Sequence, residues 1–149
     1  GVGRIPVAVV IAPVAEQAAL LARFRAALDP SPEWRCGVLG NGEMMVGSTR
    51  LAPVGKSSHI HVRQLLQNRD CDAALLCVTP ESVTAVGFPV DRCQLTVLGG
   101  DLPSHGFMHA LAARCSERVV DVCGAVGWPA PETVDALISV LGRSDLRWQ

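Results

Sequence analysis

The sequence predicts an α/β domain with a doubly wound, mainly parallel sheet that carries helices on both faces. Apolar, β-branched runs typical of buried parallel strands alternate along the chain with segments of helical amphipathic spacing. The connections between them are short, and parallel strands need crossover helices to join them. With 149 residues, 49% of them apolar, the chain can bury one core without disulfides or a metal. We therefore predict a single domain over 1–149, excised from or derived from a larger protein.

Each predicted element has its own local signal. Strands are predicted where apolar residues run without interruption or alternate, at 5–12, 34–39, 43–46, 72–79, 94–98 and 118–123. Helices are predicted where apolar residues recur every three or four positions, at 14–28, 57–67, 103–114 and 131–142, with a further helical turn at 80–82. Gly40-Asn41-Gly42 predicts a hairpin turn, and Gly99-Gly100 is expected to end the strand at 94–98.

The charge balance and the cysteine pattern exclude several classes of protein. A formal net charge of −1 disfavours nucleic acid or an anionic membrane surface as the main partner, because both attract basic patches. No apolar run reaches the roughly 18 residues of a membrane span, and we expect a soluble, cytoplasmic chain. The six cysteines contain no Cys-x-x-Cys pair, and Cys36, Cys77 and Cys123 lie in apolar runs. Buried, reduced thiols are therefore expected rather than disulfides or zinc knuckles.

Candidate catalytic groups follow the strand at 94–98, where the carboxyl end of a parallel strand faces bound ligands. Asp101 and His105 could together serve as a general acid and base. The alternative interpretation is that Asp101 or Ser104 only caps the helix that follows. No nucleophile with an identified base is visible in the sequence.

The histidines do not predict a metal site. His105 and His109 are four residues apart and share a helical face, which is metal-ligand spacing, but Gly106 stands where the zincin pattern needs glutamate. No third ligand is evident from the sequence. His59 and His61 are two residues apart, which places them on different faces of a helix.

The expected phosphate-binding position lacks the residues that phosphate needs. The stretch after the first strand, Ala12–Gln17, has neither glycine nor lysine and contains a carboxylate. Gly55, Lys56 and Ser57 form the only Gly-Lys-Ser and are the candidate cofactor-binding residues, although Arg50 replaces the first glycine of a full phosphate loop. The alternative interpretation is a loop lysine followed by a serine helix cap. Lys56 is also the only lysine among 13 basic residues.

Three segments occur in the order and near the spacing found in one known family. They are Gly3-Arg4-Ile5-Pro6-Val7-Ala8-Val9-Val10, Asp72-Ala73-Ala74-Leu75-Leu76, and Gly87-Phe88 with Asp91-Arg92-Cys93-Gln94-Leu95-Thr96-Val97. The first resembles the strand before the phosphate loop in the central ATP-binding domain of the Mur ligase superfamily, specifically the Mur-like half of cyanophycin synthetases. The others resemble its third-strand region and its Gly-Phe-Asp-Arg-Cys-Asp-Val segment. The resemblance covers roughly 3–100 and implies a P-loop or Rossmann-like three-layer fold.

The family's functional positions fall on residues of different chemistry in this chain. The phosphate-loop glycine, lysine and threonine fall at Ala15, Glu16 and Gln17, the magnesium-binding glutamate at Cys77, and the asparagine after strand four near Gly99. The family's Asp-His-Leu-Gly motif survives at most as Asp101, His105 and Gly106, with altered spacing. A ligase that forms an acyl phosphate must neutralise the transferring phosphoryl group with lysine and magnesium. The resemblance therefore implies a scaffold that keeps the family's fold without its phosphate-binding machinery.

The sequence is compatible with three functions. The first is a degenerate Mur ligase-like domain, a pseudoenzyme without a cofactor or metal, that binds other domains of a parent protein or a second copy of itself. The second is a working ATP-dependent amide ligase domain that uses ATP and magnesium at a non-standard phosphate site formed by Lys56 and Ser57. The third is an α/β module that binds a small ligand along the Gly99–His105 edge.

Overall fold

The computed structural model describes residues 5–28, 34–51 and 59–142. Within them the chain forms seven strands and five helices in an order that confirms the predicted alternation. The elements are β1 Val7–Ile11, α1 Val14–Ala27, β2 Cys36–Gly40, β3 Glu43–Val46, β4 Thr49–Arg50, α2 His59–Leu66, β5 Ala73–Val78, α3 Pro80–Val86, β6 Cys93–Gly100, α4 His105–Cys115, β7 Ser116–Cys123 and α5 Pro131–Leu141. The start of the helix predicted at 57–67 lies outside the described residues.

All seven strands belong to one mainly parallel sheet in the order β4-β3-β2-β5-β1-β6-β7. The pairs β2–β5, β5–β1, β1–β6 and β6–β7 are parallel, and only the β2–β3 and β3–β4 pairs are antiparallel. The first strand is therefore central, with β5 on one side and β6 on the other. This arrangement confirms the predicted α/β fold class.

Helices cover both faces of the sheet, which confirms the three-layer arrangement. One apolar cluster joins the sheet to α1 and α5 through residues that include Leu20, Phe24 and Leu137. The other joins the opposite face to α2, α3 and α4, and includes Leu65 and Met108. Successive residues of β1 enter the two clusters alternately, and all five are at most 6% exposed. Burial on both faces explains why β1 is an unbroken apolar run.

The predicted hairpin between β2 and β3 is present. Asn41 and Gly42 have φ values of 51° and 75°, and Gly40 pairs with Glu43 across the turn. Two consecutive residues with positive φ are the requirement of a type I′ turn, which Asn-Gly meets with little strain. The following strand, β4, is only two residues long and was not predicted, because so short a segment carries no periodic signal.

Two boundaries around β6 differ from the prediction. The strand includes Gly99 and Gly100, which pair with Val122 and Cys123 of β7, and it ends at Gly100 rather than at residue 98. The N-cap of α4 is Ser104, in the left-handed conformation with φ 55° and without a side-chain cap hydrogen bond. Ser104 therefore occupies the predicted cap position, but its hydroxyl makes no cap hydrogen bond, and Asp101 is not the N-cap residue.

All six cysteines are free thiols. Cys36 and Cys77 are buried as predicted, and burial raises the pKa of each to about 12. Cys123 is only partly buried and lies at the carboxyl end of β7.

No helix in the described part of the chain is both long enough and apolar enough to cross a membrane.

Replacing Gly40 by alanine is expected to destabilise the sheet. A Cβ at Gly40 would lie 2.6 Å from the Cβ of Cys77, an atom held by the backbone of β5. Overpacking of this kind lowers the free energy of unfolding by about 1–3 kcal/mol, measured by urea denaturation. Gly106→Ala is the matched control, since a Cβ added at Gly106 would meet nothing within 4 Å, and it should stabilise the helix by roughly 0.5–1 kcal/mol. Equal effects at both positions would contradict the close packing at Gly40.

Candidate functional site

The crevice at the carboxyl edge of the sheet opens around the end of β1. The helix that follows β1 packs on one face, whereas the helices that follow its neighbours β5 and β6 pack on the other. In an open α/β sheet such a divergence of the connections marks the place where ligands bind. The residues at this point therefore decide whether the fold can hold a nucleotide.

The connection from β1 to α1 does not form a phosphate cradle. It consists of Ala12 and Pro13, and Pro13, at the N-cap, has no backbone N–H to donate. The buried side chain of Gln17 donates from Nε2 to the Ala12 carbonyl at 2.8 Å and accepts from the Asn41 N–H at 3.4 Å. Glu16 adds a carboxylate in the first turn, where the helix end would otherwise favour an anion. The polar groups of this connection are satisfied from within the protein.

Trp128 covers the crevice from the loop after β7. Its indole Nε1 donates to the Glu16 carbonyl at 2.7 Å, and its ring lies so close to Gly99 that a Cβ there would overlap it. Gly100, with φ +75°, lies against Pro13, whose Cδ would be 2.9 Å from an added Cβ. The two glycines thus allow the connections after β1, β6 and β7 to pack closely together.

Beside the crevice, the ends of β6 and β7 and the start of α4 line an open cleft of about 530 Å³. Its lining residues are Gly100, Asp101, Leu102, His105, Asp121, Cys123 and Gly124. Another cleft of about 530 Å³ lies at the amino ends of the strands, where Val7, Phe88 and Arg92 contribute to its walls. The cleft at the carboxyl edge is the candidate site, because it contains a group of hydrogen-bonded titratable side chains at the end where such folds bind ligands.

A hydrogen bond between His105 and Asp121 organises the cleft. The His105 Nε2 atom lies 2.7 Å from Asp121 Oδ2, and the Cys123 N–H donates to Asp121 Oδ1 at 3.1 Å. His109, one helical turn after His105, has its Nε2 4.0 Å from the same Oδ2. Burial by itself would raise the pKa of Asp121, but the bonds from Cys123 and His105 outweigh it and lower that pKa. Asp121 is therefore a carboxylate at neutral pH.

Cys123 is a neutral thiol in this arrangement. Burial, the contact with Asp121 and the negative charges of Asp121 and Asp101 raise its pKa to about 12. Nucleophilic catalysis by cysteine requires a thiolate, which these neighbours oppose. The cleft can bind a ligand through His105 and Asp121, while Cys123 is held in its neutral form.

The predicted catalytic residues lie in the same cleft. Asp101 and His105 both line it, while the hydrogen-bond partner of His105 is Asp121. Asp121 and Cys123 were missed, although their spacing of two at the carboxyl end of a strand places both on one face of the sheet. Gly55, Lys56 and Ser57 lie outside the described residues, as does the side chain of His59.

The Asp121→Asn substitution is expected to remove a pH-dependent contribution to stability. Because folding lowers the pKa of Asp121 from its ordinary value of 3.8, its stabilisation is present above that value and is lost as the pH falls through the lowered pKa. At pH 7 the free energy of unfolding of the wild type should exceed that of the variant by less than about 1 kcal/mol, because the His105–Asp121 pair is partly exposed. Urea unfolding from pH 7 to below 3.8 measures the difference, which should shrink. A difference that grows on acidification would refute this role.

Comparison of the chain with protein-family models and with curated proteins finds no match to either. The chemistry of the residues at the carboxyl edge therefore bears most directly on function.

Proposed function

We propose that this chain is a degenerate Mur ligase-like α/β domain, related to the Mur-like part of cyanophycin synthetases, that acts as a non-catalytic scaffold or interaction module. The observation that carries the proposal is the closed crevice at the end of β1. There Glu16 and Trp128 stand where the family's chemistry needs a lysine and an open phosphate loop. An anion placed there would meet a carboxylate, a proline and the edge of an indole.

The other departures at functional positions support the same proposal. Cys77 falls where the family's magnesium-binding glutamate is expected, and it is 1% exposed, with a pKa raised by burial to about 12. A buried neutral thiol is a poor ligand for magnesium, which prefers oxygen donors. Gly99 falls near the family's asparagine and is covered by the Trp128 ring. Three separate positions thus lack groups that ATP-dependent ligation requires.

The placement of the resembling segments also supports a shared scaffold. The segment at 3–10 contains most of β1, the segment at 72–76 lies largely in β5, and the segment at 91–97 reaches into β6. These three strands are adjacent in the middle of the sheet. The resemblance therefore concerns the central part of the fold, where packing constrains the sequence most.

Exposed apolar side chains at the carboxyl edge support a role in binding another protein surface. Val126, in the loop after β7, is 99% exposed, and Phe107, in the first turns of α4, is 56% exposed. Interfaces are built around such apolar and aromatic groups. The partner is another domain of a parent protein or a second copy of this chain.

Titration with ATP and magnesium tests the loss of nucleotide binding. Calorimetry should detect no binding in the sub-millimolar range, because Glu16 and Trp128 close the crevice. Sub-millimolar binding would contradict the proposal. In that case the Lys56→Ala variant discriminates, since lost affinity would favour the ligase with a phosphate site at Gly55, Lys56 and Ser57, and unchanged affinity would exclude it.

Sedimentation velocity over a range of concentrations tests the interaction role. If two copies associate through the carboxyl edge, the Phe107→Ser/Val126→Ser double variant should weaken self-association by tenfold or more, because each lost apolar contact is worth about 1.5–3 kcal/mol. The matched control is Ile60→Ser, which removes an apolar side chain that is 65% exposed on α2. If the chain is a monomer at every concentration, the remaining partner is another domain of a parent protein. Equal effects of the double variant and of Ile60→Ser would exclude the carboxyl edge as the interface.

A small-ligand-binding module is the second candidate function. The observation that favours it is the His105–Asp121 pair within a cleft of about 530 Å³. Polar groups converging in a concave site are typical of small-molecule recognition. A crystal soaked with a mixture of small carboxylic acids and amines should then show a molecule bound to His105, and an empty cleft would disfavour this function.

A further inference from the structure

The candidate cleft brings together three side chains of different metal-ligating chemistry. His105, Asp121 and Cys123 each offer one ligand atom, and these atoms lie within 4.8 Å of one another. They come from two elements, the first turn of α4 and the last residues of β7. A metal site formed by these atoms does not depend on the loss of phosphate binding at the end of β1, and the loss of phosphate binding does not depend on the metal site.

The spacing of these donors is close to that of a zinc site. Bonds from zinc to nitrogen, oxygen and sulfur of about 2.0–2.3 Å place tetrahedral ligands roughly 3.3–3.7 Å apart. His105 Nε2 and Asp121 Oδ2 are now 2.7 Å apart and hydrogen-bonded, so both atoms must separate slightly around an ion. Their side chains are 46% and 27% exposed, which leaves room for this adjustment.

The surroundings orient the donors before any ion binds. The Cys123 N–H holds Asp121 Oδ1, which directs Oδ2 toward the histidines. His109 lies one turn further along α4, with its Nε2 4.0 Å from Oδ2 and its ring centroid 6.0 Å from that of His105. Hydrogen bonds of this kind to a ligating carboxylate increase metal affinity by fixing its direction.

We propose that His105, Asp121 and Cys123 bind a divalent zinc ion, with His109 next to the fourth position. A donor set of imidazole, carboxylate and thiolate suits zinc, whereas magnesium and calcium require oxygen ligands. Binding replaces the proton of the Cys123 thiol by the metal, and this proton passes to the solvent. Three protein ligands leave one coordination position open to water, to His109 or to a ligand in the cleft.

The experiment uses the whole chain freed of metal by a chelator and then titrated with Co²⁺ or Zn²⁺ alone. One Co²⁺ per chain should bind, with a thiolate-to-metal charge-transfer band in the near ultraviolet and the intense visible bands of tetrahedral cobalt. Zn²⁺ should displace the cobalt and raise the melting temperature. A wild-type spectrum without the thiolate band would overturn the proposal, whatever the behaviour of the variants.

Variants assign the ligands. Cys123→Ser should abolish the charge-transfer band, and His105→Ala and Asp121→Asn should each lower the Zn²⁺ affinity by more than the roughly 10–100-fold typical of losing an outer hydrogen-bond partner. Cys115→Ser is the matched control, because Cys115 is a thiol of similar partial burial outside the cluster, and it should keep both the band and the affinity. Circular dichroism confirms that each variant is folded. A band retained in Cys123→Ser or lost in Cys115→Ser would place the metal elsewhere and overturn the assignment.

Discussion

Burial of β1 on both faces and along both edges is the constraint on which the rest of the structure depends. The strand pairs with β5 and β6, and its residues alternate between the two apolar clusters. Nothing polar is tolerated along it, so polar chemistry can begin only where the strand ends. The end of β1 is also the point where the helices diverge to opposite faces. The two residues that leave β1 therefore decide what the crevice can bind, and Ala12 and Pro13 provide no anion cradle.

Most of the fold was predictable because it follows from periodicity. The continuous apolar runs of β1 and β5 and the Asn41-Gly42 turn are local signals that the structure confirms. The boundary of β6 was not predictable, because Gly99 and Gly100 are glycines for a tertiary reason. Gly99 lies against the Trp128 ring and Gly100 against Pro13, and both neighbours are distant in sequence.

Only part of the candidate site was predictable, because local signals in the sequence indicate His105 but not its hydrogen-bond partner. The place of His105 after a strand at the carboxyl edge marks it as a site residue, but its partner Asp121 lies 16 positions later on another strand. The sequence alone does not indicate that β6 and β7 are neighbours, or that the end of β7 lies against the start of α4. Asp101 was chosen because it is close in sequence, whereas the fold pairs His105 with Asp121.

The hydrogen bond from Trp128 to Glu16 makes the cover over the crevice a long-range feature of the fold. This hydrogen bond joins residues 112 positions apart, and the Trp34 indole donates to the Leu141 carbonyl across 107. Contacts of such range form only after the chain entropy of the intervening loop has been lost. The cover over the end of β1 therefore depends on the tertiary packing of the sheet, not on the residues next to the crevice alone.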